Sequence, residues 1–284
     1  MSRISYLNNQ FLPHENCLIH IEDRGFQFAD GVYEVTLFEN EKLIDAEAHL
    51  ERFFRSLREV KIEHNFSAEE LKKIQLELFA RNKMTNGTCY MQITRGQTNR
   101  IPYCPKNLTP TICATVSPRK KVSEEEFARG FSLMTHEDIR WKRCDIKTVS
   151  LLASALINQK AKDHGFDDAI FLRDGIVTEA TYANAFIVDE NDVIITKAPD
   201  NLILCGITRN RLLKIAAEKN IKIAERNFSL EEMMRAKEVF LTSSSLILRP
   251  ISKIDGKLIA DGKNRKIARI LNDAYGDFVS SDVS

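Results

Sequence analysis

The chain of 284 residues carries 41 Lys and Arg against 40 Asp and Glu, so no net field draws it toward nucleic acid or an anionic membrane surface. Its length allows one large domain or two moderate ones. The six cysteines show neither CxxC nor Cys/His metal spacing, which argues against zinc and a disulfide framework and reads as reduced thiols in a cytoplasmic protein. The amino terminus lacks an apolar signal core, and no run approaches the length of a membrane span.

Short strands are expected at Ile4 to Leu7 and around Leu18 to Ile21. The stretch EDRGFQFADGVYEVTLF then reads as a turn, eased by Gly25 and Gly31, feeding a β-branched and aromatic strand from Val32 to Phe38. Leu50, Phe53, Phe54, Leu57 and Val60 recur with helical spacing and mark an amphipathic helix, with Arg52 on the opposite side. Ser67 and Glu70 form a capping box that opens a second helix carrying Leu71, Ile74 and Leu78 inward. Strands at Cys89 to Thr94 and Thr111 to Val116 flank RGQTNRIPYCPKNLTP, a loop with three prolines. A loop of that length in a compact domain is often functional. The polar run from Ser117 to Phe127 is the candidate domain boundary, near residue 120.

Beyond it, short strands alternate with helices. Strands are expected at Phe131 to Thr135, Asp168 to Leu172, Ala185 to Asp189, Val193 to Thr196, Ile221 to Ala224, Val239 to Thr242 and Leu246 to Ile254. Helices are expected from Thr148 to His164, from Thr208, after the Ser229 and Glu232 capping box, and from about Gly262 to Tyr275.

Four features carry chemistry. Lys147 stands between the charged, aromatic RWKRCD and the apolar run from Val149 to Ile157, where partial desolvation and nearby cations would lower its pKa and expose a nucleophilic amine. Taken alone, most such lysines are solvated surface residues. CGIT at 205 to 208 opens a helix whose free N–H groups and dipole favour a phosphate, with Gly206 permitting close approach. TSSS at 242 to 245 leaves a strand with four hydroxyls, which is also ordinary turn chemistry. Glu179 lies between apolar segments, and a buried carboxylate needs a partner: a protonated pyridine nitrogen, an arginine or backbone amides would each serve. Together an amine, a carboxylate, an anion-binding helix start and a hydroxyl cluster are what pyridoxal 5'-phosphate requires. No GxSxG, HExxH, Walker A or GxGxxG pattern competes, and no metal site is expected.

The segments DRGFQFADGVYEV, AHLERFFRSL, RWKRCDIKTVSLL, VTEATYANAF, LILCGITR and the TSSS strand end resemble, in order and spacing, the D-amino-acid aminotransferases. These belong to the class IV aminotransferases, with the branched-chain aminotransferases and aminodeoxychorismate lyases. The resemblance implies a two-domain α/β (α+β) fold, a small amino-terminal domain over 1–118 and a larger domain over 119–284 with a barrel-like sheet core. It further implies pyridoxal 5'-phosphate held between the domains, and a homodimer that completes the site.

By the same resemblance, Lys147 is the Schiff-base lysine and proton shuttle, and Glu179 the partner of the pyridine nitrogen. Arg52 corresponds to the phosphate arginine; the backbone at Ile207 and Thr208, the Thr208 hydroxyl and Ser244 complete the phosphate cup. Leu204 packs against the ring. Tyr33 and Arg100 would bind the substrate carboxylate, Arg100 from the partner subunit's loop, with Tyr182 and Ser245 also on the substrate side. Two positions depart from the pattern: Pro102 stands where the family has a histidine, and Tyr182 where it has a serine. The implied reaction is ping-pong transamination from a D-amino acid such as D-alanine or D-glutamate to a 2-keto acid. A lyase of the aminodeoxychorismate type and an (R)-selective amine transaminase are the competing readings.

Overall fold

A computed structural model describes residues 3–281. The chain forms two compact units, one reaching to Arg119 and including Ile146–Leu151, the other built from Lys120–Asp145 and the chain from Leu152 onward. The six residues around Lys147 thus belong to the first unit although they follow it by some distance in the chain.

The first unit contains β1 (Ile4–Leu7), β2 (Gln10–Pro13), α1 (Arg24–Phe28), β3 (Gly31–Glu39), β4 (Lys42–Leu43), α2 (Ala46–Glu59), α3 (Ala68–Arg81), β5 (Gly87–Thr94) and β6 (Thr111–Ser117). Its strands make one antiparallel sheet in the order β2-β1-β6-β5-β3-β4. The predicted stripe of α2 is inward: Leu50, Phe53 and Leu57 join Leu71, Leu78 and Phe79 of α3 in one core with Val32, Phe38 and Ile93 of the sheet. Each such side chain contributes about 1.5–3 kcal/mol by leaving water. The α3 capping box is complete, with Ser67 Oγ accepting from Glu70 N and Glu70 receiving the Ser67 N–H.

Two local expectations differ from the structure. The segment around Leu18 to Ile21 forms no strand; Leu18 is 78% and Ile21 74% exposed, so alternation had no neighbouring strand to satisfy. The DRGF turn is a short helix, capped by Asp23 Oδ1 accepting from Gly25 N at 2.8 Å and stopped by Ala29 in the left-handed region at φ 53°.

The second unit contains α4 (Glu124–Arg129), β7 (Phe131–Glu137), α5 (Leu152–Asp163), β8 (Asp168–Arg173), β9 (Ile176–Ala180), β10 (Asn184–Val188), β11 (Ile194–Thr196), α6 (Ile207–Glu218), β12 (Ile223–Glu225), α7 (Leu230–Arg235), β13 (Glu238–Ser243), β14 (Ile247–Ile254), β15 (Lys257–Leu258) and α8 (Lys266–Ser280). The order β10-β13-β14-β7-β8-β9 closes on itself where Asn184 of β10 pairs with Glu179 of β9, giving a six-stranded barrel-like sheet. Its interior is filled by Leu133, Ile170, Val177, Ala185, Ile187, Val239, Leu241 and Ile251, the inward-facing members of alternating strands. Among the described residues, no helix is long and apolar enough to cross a membrane.

α5 begins at Leu152 rather than Thr148, because the backbone before it pairs with β3: Thr148 bridges Val32, and Val149 N donates to Gly31 O at 3.1 Å. α8 begins at Lys266 rather than near Gly262, since Asp261 Oδ1 ties the Lys263 and Asn264 amides into a turn. Glu238 then accepts the Ile267 and Ala268 amides and caps the helix from another strand.

Candidate active site

In the first unit, Lys147 is fixed by its backbone. Its carbonyl accepts from Tyr33 N at 3.0 Å and its own N–H donates to Ser56 Oγ at 3.3 Å, while Ile146 beside it is buried in the core. The amine lies over the Tyr33 ring, 4.3 Å from its centre. The lysine is half-buried, the aromatic surface against its amine is the Tyr33 ring, and in the run that follows Leu152 is 72% exposed.

Arg52 is buried on α2, one turn before Ser56. Its Nε donates to Glu34 Oε1 at 2.7 Å and its Nη2 to Glu34 Oε2 at 2.8 Å, with His49 Nδ1 also 2.8 Å from Oε2. Burial alone would raise the Glu34 pKa, but Arg52 and His49 together hold it well below the usual carboxylate range. Periodicity placed Arg52 on the side of α2 away from the stripe; Glu34, the next residue after Tyr33, is what draws it inside. This unit therefore brings Lys147, Tyr33 and Arg52 to one end of β3. Arg100 sits elsewhere in the unit, exposed on the loop between β5 and β6 with its guanidinium 5.0 Å from the centre of the Phe28 ring.

In the second unit, Glu179 is buried at the end of β9. Arg140 Nη1 donates to its Oε1, and Asn184 Nδ2 and Leu204 N each donate to Oε2 at 3.1 Å. Burial raises the Glu179 pKa, and Arg140 counters it only in part. The reason lies in Arg140, whose Nε and Nη2 are both given to Asp138 at 2.9 Å. Of the alternatives open in the sequence, an arginine and a backbone amide are both present. Arg140 and Asn184 were not singled out as partners of Glu179; the signal for Asn184 was a lone amide entering an apolar strand.

Leu204 is joined to Glu179 directly, and its carbonyl accepts from Asn184 Nδ2 at 2.7 Å. A Cβ on Gly206 would collide with Asn184 Oδ1, so the space opened by this glycine is filled by the Asn184 amide rather than left for an approaching anion. Immediately after it, Ile207 and Thr208 are the buried first residues of the twelve-residue α6. Ser244 and Ser245 occupy the turn between β13 and β14. Tyr182 and Ser245 line a cleft of about 300 Å³ with Asn158, Thr242, Ser243 and Arg249.

These residues fit pyridoxal phosphate on two counts. A carboxylate offers about four acceptor positions, and three donors reach Glu179, leaving one open on an under-compensated buried group. Thr242 Oγ1, two residues before Ser244, is buried and has no hydrogen-bond partner among the described residues. The second unit thus carries an acceptor suited to a cationic ring nitrogen and, in α6 and the TSSS turn, donors suited to a phosphate.

The amino-transferase class IV family matches residues 31–254, and the chain belongs to this family, as its motifs implied. Class IV aminotransferases are pyridoxal-phosphate enzymes. A D-alanine aminotransferase of Bacillus licheniformis is 36% identical over 98% of this chain and 97% of its own. A D-alanine aminotransferase of Staphylococcus epidermidis is 35% identical over 97% of this chain and 98% of its own. In fold, the chain resembles the branched-chain amino acid aminotransferase of Escherichia coli, with TM-score 0.90 and 21% identity, covering 100% of this chain and 97% of that one.

Proposed function

We propose that this chain is a pyridoxal-phosphate-dependent transaminase that takes the amino group of a D-amino acid, of the D-alanine or D-glutamate type, and delivers it to a 2-keto acid in two half-reactions. The observation that carries the reading is the placement of Lys147, whose backbone is pinned to β3 while its amine is held over Tyr33. The donor class is supported by the similarity to D-alanine aminotransferases along the whole chain.

Pyridoxal phosphate, when bound, supplies an electron-withdrawing ring that stabilises the charge developing at the substrate Cα. Lys147 Nζ would hold it covalently and would carry the proton that leaves the substrate Cα. Glu179 would accept a hydrogen bond from the ring nitrogen and, with Arg140 shared, would gain more from that cation than a fully compensated carboxylate. By the family resemblance, Arg52, the Ile207 and Thr208 amides, the Thr208 hydroxyl and Ser244 would hold the phosphate, and Leu204 would pack against the ring. Tyr33 and Arg100 take the substrate carboxylate, while Tyr182 and Ser245 border the space for the side chain. Pro102 cannot donate a hydrogen bond, so it does not replace a histidine there; Tyr103, exposed next to it, carries the nearest hydroxyl in sequence.

Arg100 acts from a second copy in this reading, so the working unit is a homodimer. Support comes from the exposed Leu18, Ile21 and Phe26 on the segment leading into and through α1, an apolar grouping that a second copy would cover. The free cysteines suit a cytoplasmic location.

The test is the absorbance of the cofactor-loaded protein before and after D-alanine and, separately, L-alanine, followed by 2-oxoglutarate. A change with D-alanine alone that 2-oxoglutarate reverses is expected. Response to L-alanine alone overturns the donor assignment, and release of pyruvate without any acceptor favours the lyase chemistry. Lys147→Ala is expected to lower turnover by about 10²- to 10⁴-fold or more, measured as D-alanine-dependent formation of D-glutamate.

A further inference from the structure

Arg100 is exposed on a loop rich in proline, yet its guanidinium has a defined seat. Gly96, at φ +102°, closes the base of the loop against Thr109, where any Cβ would meet the Thr109 carbonyl oxygen. Asp23 bridges Gln97, and Arg24 N donates to Gly96 O at 2.9 Å, which docks the start of the loop on α1. The next hold is Arg24, itself almost fully buried. Its Nε donates to Asp30 Oδ2 at 2.7 Å and its Nη1 to the Ile101 carbonyl at 2.8 Å, so it grips the backbone of the residue that follows Arg100.

Asp30 is in turn held by Arg95, whose Nε and Nη2 donate to its two oxygens at 2.8 and 2.9 Å. Arg24 therefore cannot swing without leaving a carboxylate that two arginines share. Finally, the Phe28 ring has Arg24 4.6 Å and Arg100 5.0 Å from its centre, so one aromatic ring orients both guanidinium groups. An exposed arginine side chain normally samples many rotamers, and ordering it on binding has an entropic cost. Seating it beforehand removes part of that cost.

We propose that α1, through Phe28 and Arg24, is a positioning element for Arg100 that holds the guanidinium ready for the substrate carboxylate. This rests on the reading of Arg100 given above. Phe28 contacts neither substrate nor cofactor in this proposal; it acts on affinity through Arg100. The same arrangement explains how a loop with Pro102 in place of a donor can still present one carboxylate-binding group in a fixed direction.

The experiment compares Phe28→Leu, Phe28→Tyr and Arg100→Ala in the cofactor-loaded enzyme, reading KM and kcat for D-alanine and the inhibition constant of propionate, which offers the carboxylate alone. Phe28→Leu is expected to raise both KM and the propionate constant about 3- to 10-fold, the range of a cation–π contact, with kcat unchanged. Phe28→Tyr, which keeps the ring, restores both constants. Arg24→Lys, which keeps the charge at Asp30 but cannot also reach the Ile101 carbonyl with a fork, shows the same split. A rise in both constants with Arg100→Ala but none with Phe28→Leu overturns the positioning role and leaves the reading of Arg100 intact. No rise with Arg100→Ala overturns that reading and the positioning role with it. A fall in kcat with Phe28→Leu that Phe28→Tyr does not restore marks Phe28 as merely structural and also overturns the proposal.

Discussion

Glu34 and Glu179 are both buried strand carboxylates facing an arginine, yet their protonation is biased in opposite directions. Glu34 receives two nitrogens of Arg52, one on each oxygen, with His49 as a further neighbour. Glu179 receives one nitrogen of Arg140, because the other two that could grip it are already on Asp138. Burial opposes the charged form at both sites; at Glu34 a whole guanidinium with His49 outweighs it, while at Glu179 an arginine shared with Asp138, whose own charge adds to the penalty, does not. A fully compensated carboxylate is a fixed structural charge. A partly compensated one keeps an appetite for another cation, which is the property a ring-nitrogen partner needs.

The largest test of this contrast is to neutralise each carboxylate. Glu34→Gln removes the charge opposite the buried Arg52 guanidinium and is expected to lower the unfolding free energy by about 3–5 kcal/mol, the usual penalty for breaking a buried pair. Glu179→Gln leaves Arg140 with Asp138 and should lower it by only about 1–2 kcal/mol, while turnover falls by about 10²- to 10⁴-fold. Urea unfolding beside steady-state rates separates the two, and equal stability losses would break the comparison.

Next in size is the positional support of Glu179. Gly206→Ala drives a methyl group into Asn184 Oδ1 and should displace the amide that donates to Glu179 and to the Leu204 carbonyl, destabilising the protein by about 1–3 kcal/mol. A thermal midpoint within error of the wild type would show that the amide is not held by that packing.

The pH dependence sharpens the contrast through its sign. Glu34 has its folded pKa below the unfolded value, so its stabilisation is complete above the ordinary carboxylate pKa and is lost as pH falls toward the folded one. Glu179 has its folded pKa above the unfolded value, so in the cofactor-free protein its contribution declines as pH rises through that interval. The stability gap between wild type and Glu34→Gln should therefore narrow as pH is lowered below about 4, while the gap to Glu179→Gln widens as pH falls toward that value from above and is level below it. Parallel trends in the two series would contradict the assigned directions. The smallest expected effect is at the phosphate end, where Thr208→Ala removes one hydroxyl donor among several and should weaken cofactor binding about 3- to 10-fold, read by equilibrium dialysis.

Much of this was legible from residue order. The Leu50, Phe53 and Leu57 stripe and the Ser67 and Glu70 box are local signals, set by helical spacing and by one side chain reaching the next turn, so they needed no knowledge of the rest of the chain. The motifs around Lys147, Glu179 and Ile207 likewise pointed to the family. Other features were hidden for a physical reason. The helical spacing put Arg52 opposite the stripe because periodicity reports one face of one helix, whereas its burial depends on Glu34 in a different element. Thr148 and Val149 read as the start of a helix because the strand edge they join, at Gly31 and Val32, lies more than a hundred residues earlier in the chain.

By itself, then, the sequence determined the chemistry-bearing groups and the local elements that carry them, because spacing, capping and side-chain type act within a few residues. Only the tertiary structure decided how each charge is shared. Arg140 divides itself between Asp138 and Glu179 while Arg52 gives its fork to Glu34, and Phe28 seats Arg100 beside Arg24. Burial and the number of partners at each group are properties of packing, and they set whether a carboxylate or a guanidinium stands as structure or stays ready to bind.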